Sequence, residues 1–95
     1  MTFSEFKKTL AQKSVPEKLS DLLKALWFEA QGDWDKAHKI VQNMSSAKAA
    51  NIHAYLHRKE GDDNNALYWY SNAGESFYHG SFADEWNELV QKFLK

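Results

Sequence analysis

The chain has 95 residues, a formal net charge of -1 and no cysteine, so it reads as one domain spanning 1–95 without disulfides, thiolate chemistry or Cys-ligated zinc. Near-neutral charge gives no field favouring nucleic acid or anionic lipid. Arg58 is the sole arginine among twelve basic residues, which also argues against a phosphate reader. No apolar run reaches the ~20 residues of a membrane span or the length of a signal peptide's core, and a cytoplasmic protein with no membrane or nucleic-acid partner is expected.

Val and Ile are scarce while Ala, Leu, Lys, Glu and Gln abound, which favours helices over sheets. Thr2-Phe3-Ser4-Glu5 has the form of a capping box and predicts a short first helix with Phe3, Phe6 and Leu10 on one side. Ser14-Val15-Pro16-Glu17 is expected to start a second helix, since Pro is tolerated in a first turn. Its stripe would be Leu19, Leu22, Leu23, Leu26, Trp27 and Ala30. Gly32 ends it and Asp33 caps a third helix that buries Trp34, Ala37, Ile40, Val41 and Met44. Ser45-Ser46 opens a fourth helix over roughly Ala47 to Glu60. Gly61 ends that one, and Asp62 or Asp63 caps a fifth with Ala66, Tyr70 and Ala73. A loop holds Gly74 to Gly80. Ser81 with Asp84 then starts a last helix whose face carries Phe82, Trp86, Leu89, Val90 and Phe93.

One phrase occurs twice. Gly32-Asp33-Trp34-Asp35-Lys36-Ala37 is echoed by Gly61-Asp62-Asp63-Asn64-Asn65-Ala66, an offset of 29 residues. A Gly that ends one helix, an Asp that caps the next and an Ala at the crossing describe a helical hairpin made twice. The expected fold is all-α, with five or six short antiparallel helices stacked as two hairpins and capped by terminal helices.

Each hairpin resembles a tetratricopeptide repeat. The first supplies Ala25, Phe28, Gly32-Asp33-Trp34 and Ala37; the second supplies Ala54, His57, Gly61-Asp62 and Ala66, followed by Tyr70 and Ala73. The likeness covers roughly Leu19 to Gly74. It departs from the family in its 29-residue period against the usual 34, in His57 where an aromatic is expected, and in the absence of a closing Pro. The resemblance implies a binding or scaffold role. His53-Ala54-Tyr55-Leu56-His57-Arg58-Lys59-Glu60-Gly61-Asp62, with Ala66-Leu67-Tyr68-Trp69-Tyr70, also resembles the signature of a small bacterial family of uncharacterised proteins, which implies no activity.

Three features carry chemistry. His53 and His57 are four residues apart and share a helical face, a spacing that suits two ligands of one metal ion, with Glu60 or Asp63 as a further donor. Ala54 stands where a zinc protease needs Glu, which argues against that chemistry. Stacked hairpins would bring His38 towards His53, making a pH-sensitive cluster near Arg58, Glu60 and Tyr68. The structural alternative has one imidazole packed at a helix crossing and the other solvated. Tyr68-Trp69-Tyr70 cannot all face one core, because consecutive helical residues point about 100° apart. No Cys or Gly-x-Ser-x-Gly nucleophile is present, so no catalytic residue and no cofactor is assigned. Asp33, Asp35, Asp62 and Asp63 lack the alternating pattern of a calcium loop and read as caps.

Two functions from different classes follow. The first is a module that binds a protein, peptide or small polar ligand on a surface of His53, His57, Arg58, Tyr68, Trp69 and Tyr70. The second is a small enzyme or metal-binding protein using His38, His53, His57 and Glu60. A homodimer through the apolar last helix is a third expectation.

Overall fold

The computed structural model describes residues 1–94. Its elements are α1 (Phe3–Thr9), α2 (Asp21–Ala30), α3 (Trp34–Gln42), α4 (Ala47–Lys59), α5 (Asp63–Ala73) and α6 (Phe82–Phe93), with no strand among the described residues. The described residues form an all-α fold of six helices, within the five or six that composition and periodicity predict.

Local chemistry sets the helix ends. The Thr2 hydroxyl accepts from the Glu5 amide at 3.1 Å while Glu5 accepts from the Thr2 amide at 2.7 Å, a complete capping box. Ser46 and Ser81 cap α4 and α6 through the amides of Ala49 and Asp84. The duplicated phrase is duplicated in atomic detail. Gly32 and Gly61 sit at φ 87° and 89°, a left-handed conformation that costs glycine nothing. The next residues, Asp33 and Asp62, adopt φ/ψ of -99°/72° and -96°/75°. The Asp33 amide donates to the Phe28 carbonyl and the Asp62 amide to the His57 carbonyl, each at 2.9 Å. The two Asp side chains then cap α3 and α5 through the amides of Lys36 and Asn65. Between Asp62 and Asp63, the cap is Asp62. Ala37 and Ala66 are fully buried, as the hairpin reading requires.

One expectation fails. α2 begins at Asp21, not at Ser14–Glu17. Pro16 to Leu19 forms only a single turn, closed by the Leu19 amide on the Pro16 carbonyl at 3.3 Å. Ser20 then takes the extended cap conformation, and its hydroxyl accepts from the Leu23 amide. A Pro permits a first turn without requiring that the helix continue from it. A smaller correction concerns α3, where Ala37 and Val41 are buried but Trp34, Ile40 and Met44 are only partly so.

α6 packs on both α2 and α4. Trp86, Leu89, Val90 and Phe93 are buried in the main core together with Phe6, Leu26, Ile52 and Leu56. The Trp86 indole donates to the Leu26 carbonyl at 3.0 Å, and its ring meets Phe6 and Phe3 of α1. The apolar face of the last helix is therefore turned into the chain's own core; Phe82, at its start, is the one residue of that face left exposed. α4 is the central helix: its buried set runs from Ala49 through His57, and it contacts α2, α3, α5 and α6. Residues on opposite sides of α4 therefore belong to different sites.

Candidate functional site

Two helices contribute matched pairs. Trp34 and His38 are four apart on α3, and His53 and His57 are four apart on α4, so each pair stacks on one helical face where the two hairpins meet. Trp69 of α5 closes the other side. Trp34 lies flat on His38 (centroids 4.9 Å apart, planes 8°), and Trp69 lies flat on His53 (3.9 Å, 11°). Between the indoles, His53 stacks on His57 at 4.9 Å, and His38 meets both edge-on at 4.7 and 5.2 Å. The Trp34 indole is fixed by donating to the Leu56 carbonyl at 2.8 Å. Three imidazoles are thus enclosed between two indoles, and His53 and His57 are both buried. The alternative with one solvated imidazole on α4 does not hold.

The ring nitrogens converge. His53 Nε2 and His38 Nε2 are 3.0 Å apart, and one potential ligand atom from each of His38, His53 and His57 falls within 4.8 Å of the others. The contact between two Nε2 atoms needs a proton on one and a lone pair on the other, so both imidazoles are not cations at once. Burial holds the His38 imidazole below its ordinary value, with the neighbouring His57 adding to the effect. Burial, then His38 and His57, lowers the His53 imidazole to about 4. Both rings are neutral at physiological pH, the form that ligates metal. His57 Nδ1 is bound by Glu60 Oε2 at 2.6 Å, which leaves Nε2 as its free nitrogen. A carboxylate on the outer nitrogen of a ligating His is the usual device for fixing its tautomer and orientation. Glu60 and Asp62 form a second potential group with His57, at its exposed edge; Asp63, expected as a donor, is not in it. Asp62 is also engaged as the α5 cap.

The six residues expected to share a binding surface do not share one. His53, His57 and Trp69 belong to the imidazole cluster. Arg58 and Tyr70 converge instead on Glu85 of α6. Arg58 Nε donates to Glu85 Oε1 at 2.9 Å, and the Tyr70 hydroxyl donates to Oε2 at 2.6 Å. The remaining guanidinium nitrogens donate to the Gly80 and Ser81 carbonyls, and the guanidinium carbon lies 4.4 Å from the Phe82 ring centre and 5.3 Å from that of Tyr78. Arg58 is therefore committed to holding the segment before α6, not to a ligand. Burial pushes the Glu85 carboxyl up, against the opposing pull of Tyr70 and Arg58. Tyr68 is 60% exposed and meets Trp69 in a T-shaped contact with centroids 5.1 Å apart.

Trp34 is the site residue that sequence reading placed in the core. Its i,i+4 relation to His38, parallel to His53/His57, was the available signal. Glu85, buried to 2% exposure, had none, because its partners lie 15 and 27 residues away.

No protein-family model matches the chain, and no solved structure matches it. The envelope glycoprotein gp160 of a simian immunodeficiency virus (isolate AGM gr-1, from grivet) is 36% identical over 69 residues, covering 65% of this chain. The chain spans 8% of that glycoprotein's length, and the likeness assigns no family.

Proposed function

We propose that this chain is a metal-binding helical-repeat protein that holds a zinc-class divalent ion on His38, His53 and His57. The observation that carries this is the convergence of three imidazoles within 4.8 Å, with the His57 ring oriented by Glu60. Nitrogen donors without thiolates suit Zn²⁺ and its neighbours, and oxygen-loving Mg²⁺ and Ca²⁺ poorly. The neutral His38 and His53 imidazoles carry no positive charge to lose on binding near neutral pH. Trp34 and Trp69 limit water on two sides, and three protein ligands leave a fourth position for water or a small ligand. Because His38 lies on α3 and the other two on α4, the ion would tie the first hairpin to the second. The duplicated Gly-Asp turn supports a tetratricopeptide-like reading of those hairpins. A peptide-binding reading would use Tyr68, exposed on α5 beside Trp69, with exposed Leu67 next to it.

Zinc titration of chelator-stripped protein, followed by calorimetry and by the fluorescence of the flanking indoles, tests the proposal. One ion per chain is expected, with affinity lost in His53→Ala and His57→Ala and no response to Mg²⁺. No saturable uptake, or equal uptake by the double His53→Ala/His57→Ala variant, would overturn it.

A further inference from the structure

The opposite face of α4 carries a different site. Tyr55 lies two residues from both His53 and His57, about 200° around the helix, so it points away from the imidazoles. There it borders an open cavity of about 390 Å³ between α2, α4 and α6, with Leu10 also in its lining. That volume is within the usual range for small-molecule pockets. Its lining is mainly apolar and aromatic, with Tyr55, Phe82 and Trp86 among the walls. One carboxylate is set into it. Glu29 is 5% exposed and accepts from the Tyr55 hydroxyl at 2.8 Å and from the Lys59 ammonium. Lys59 is different in kind: its side chain is 41% exposed on a flexible stem, and its ammonium also lies 6.0 Å from the centre of the Tyr55 ring.

We propose that this cavity binds a primary alkylammonium or aralkylammonium ligand, its charge on Glu29 and its apolar body against Phe82, Trp86 and Leu10. Lys59 is the tethered stand-in for that ligand, an alkylammonium already resting on the same carboxylate and beside the same ring. The exchange is asymmetric. An incoming ammonium that displaces Lys59 into solvent leaves Glu29 paired throughout. An incoming carboxylate could use Lys59 only by drawing it off Glu29, leaving a buried anion uncompensated next to a second anion. Aromatic walls favour the cation again, through the negative faces of their rings. The site does not depend on the metal reading, because the imidazoles lie on the far side of α4.

The test is an NMR titration of the full chain with hexylamine, hexanol and hexanoate at neutral pH. Hexylammonium is expected to shift the Trp86 indole and Tyr55 signals saturably. It is expected to bind on the order of tenfold more tightly than hexanol, as a charge-assisted hydrogen bond implies. Hexanoate is expected to bind more weakly than either. Lys59→Met removes the tethered competitor and should tighten hexylammonium binding; Glu29→Gln should erase its advantage over hexanol. Should Glu29→Gln fail to fold, the wild-type order of affinities and the Lys59→Met gain still decide. Hexanoate binding as tightly as hexylammonium, no saturable shift with any probe, or weaker hexylammonium binding by a folded Lys59→Met variant would overturn the proposal.

Discussion

Acidification should destabilise the metal-free fold through the imidazole cluster, and His53 gives the size of the effect. Its imidazole is held at about 4 in the fold against 6.5 ordinarily, because burial and two neighbouring imidazoles disfavour its charge. Above 6.5 the ring is neutral in both folded and unfolded chains, and the shift contributes nothing to the pH dependence. Between 6.5 and 4 the unfolded chain takes up a proton that the folded chain refuses, so stability falls as pH falls, and below 4 the loss is complete. Each pH unit in that window is worth about 1.4 kcal/mol. With allowance for solvent screening at the partly exposed His38 edge, about 2 kcal/mol should be lost between about pH 7.5 and pH 4.5. His38 adds in the same direction. Urea denaturation at both pH values, with chelator present, measures this in the native chain and in His53→Gln. The variant has no ring to titrate at that position, so its loss over the same interval should be smaller by about that amount. Carboxylate titrations elsewhere cancel in the comparison. Equal losses in the two proteins would refute the buried-cluster argument.

Two further predictions concern the frame. Arg58→Ala should cost about 3–5 kcal/mol in urea denaturation, because it leaves Glu85 buried without its counter-ion; Arg58→Lys should not restore the loss, since one ammonium cannot serve Glu85 and the Gly80 and Ser81 carbonyls together. Gly32→Ala and Gly61→Ala should each cost about 1–2 kcal/mol by the same assay, from left-handed backbone strain alone. An added Cβ meets nothing within 4 Å at either position, so the two losses should agree closely if the turns are true duplicates.

The repeat was legible because its signals are local. A positive-φ Gly, an Asp cap and a small residue at the crossing each act within one turn of chain, and sequence order preserves them. The start of α2 is ambiguous in sequence for the same reason in reverse. Ser14 before Pro16 and Ser20 before Asp21 are both acceptable caps, and the choice rests on where Leu23 and Leu26 meet the core. His38 approaching His53 could be expected once the hairpins were stacked. Arg58 could not be separated from the imidazoles by sequence, since neighbouring helical residues look alike until the faces they meet are known. Its true partners, Glu85 and the Gly80 and Ser81 carbonyls, are supplied by α6 and the segment before it, 22 to 27 residues on. The Glu29–Lys59 pair, spanning 30 residues, was hidden in the same way.

Metal binding also couples to stability. Zinc held a hundredfold above its dissociation constant should add ~2.7 kcal/mol, which for a domain of this size raises Tm on the order of 10–20 °C. The most direct measurement is X-ray absorption on the zinc-loaded chain. A first shell containing three imidazole nitrogens at ~2.0–2.1 Å is expected, and its loss in His53→Ala. An oxygen-only shell, or a nitrogen shell unchanged by that substitution, would contradict it.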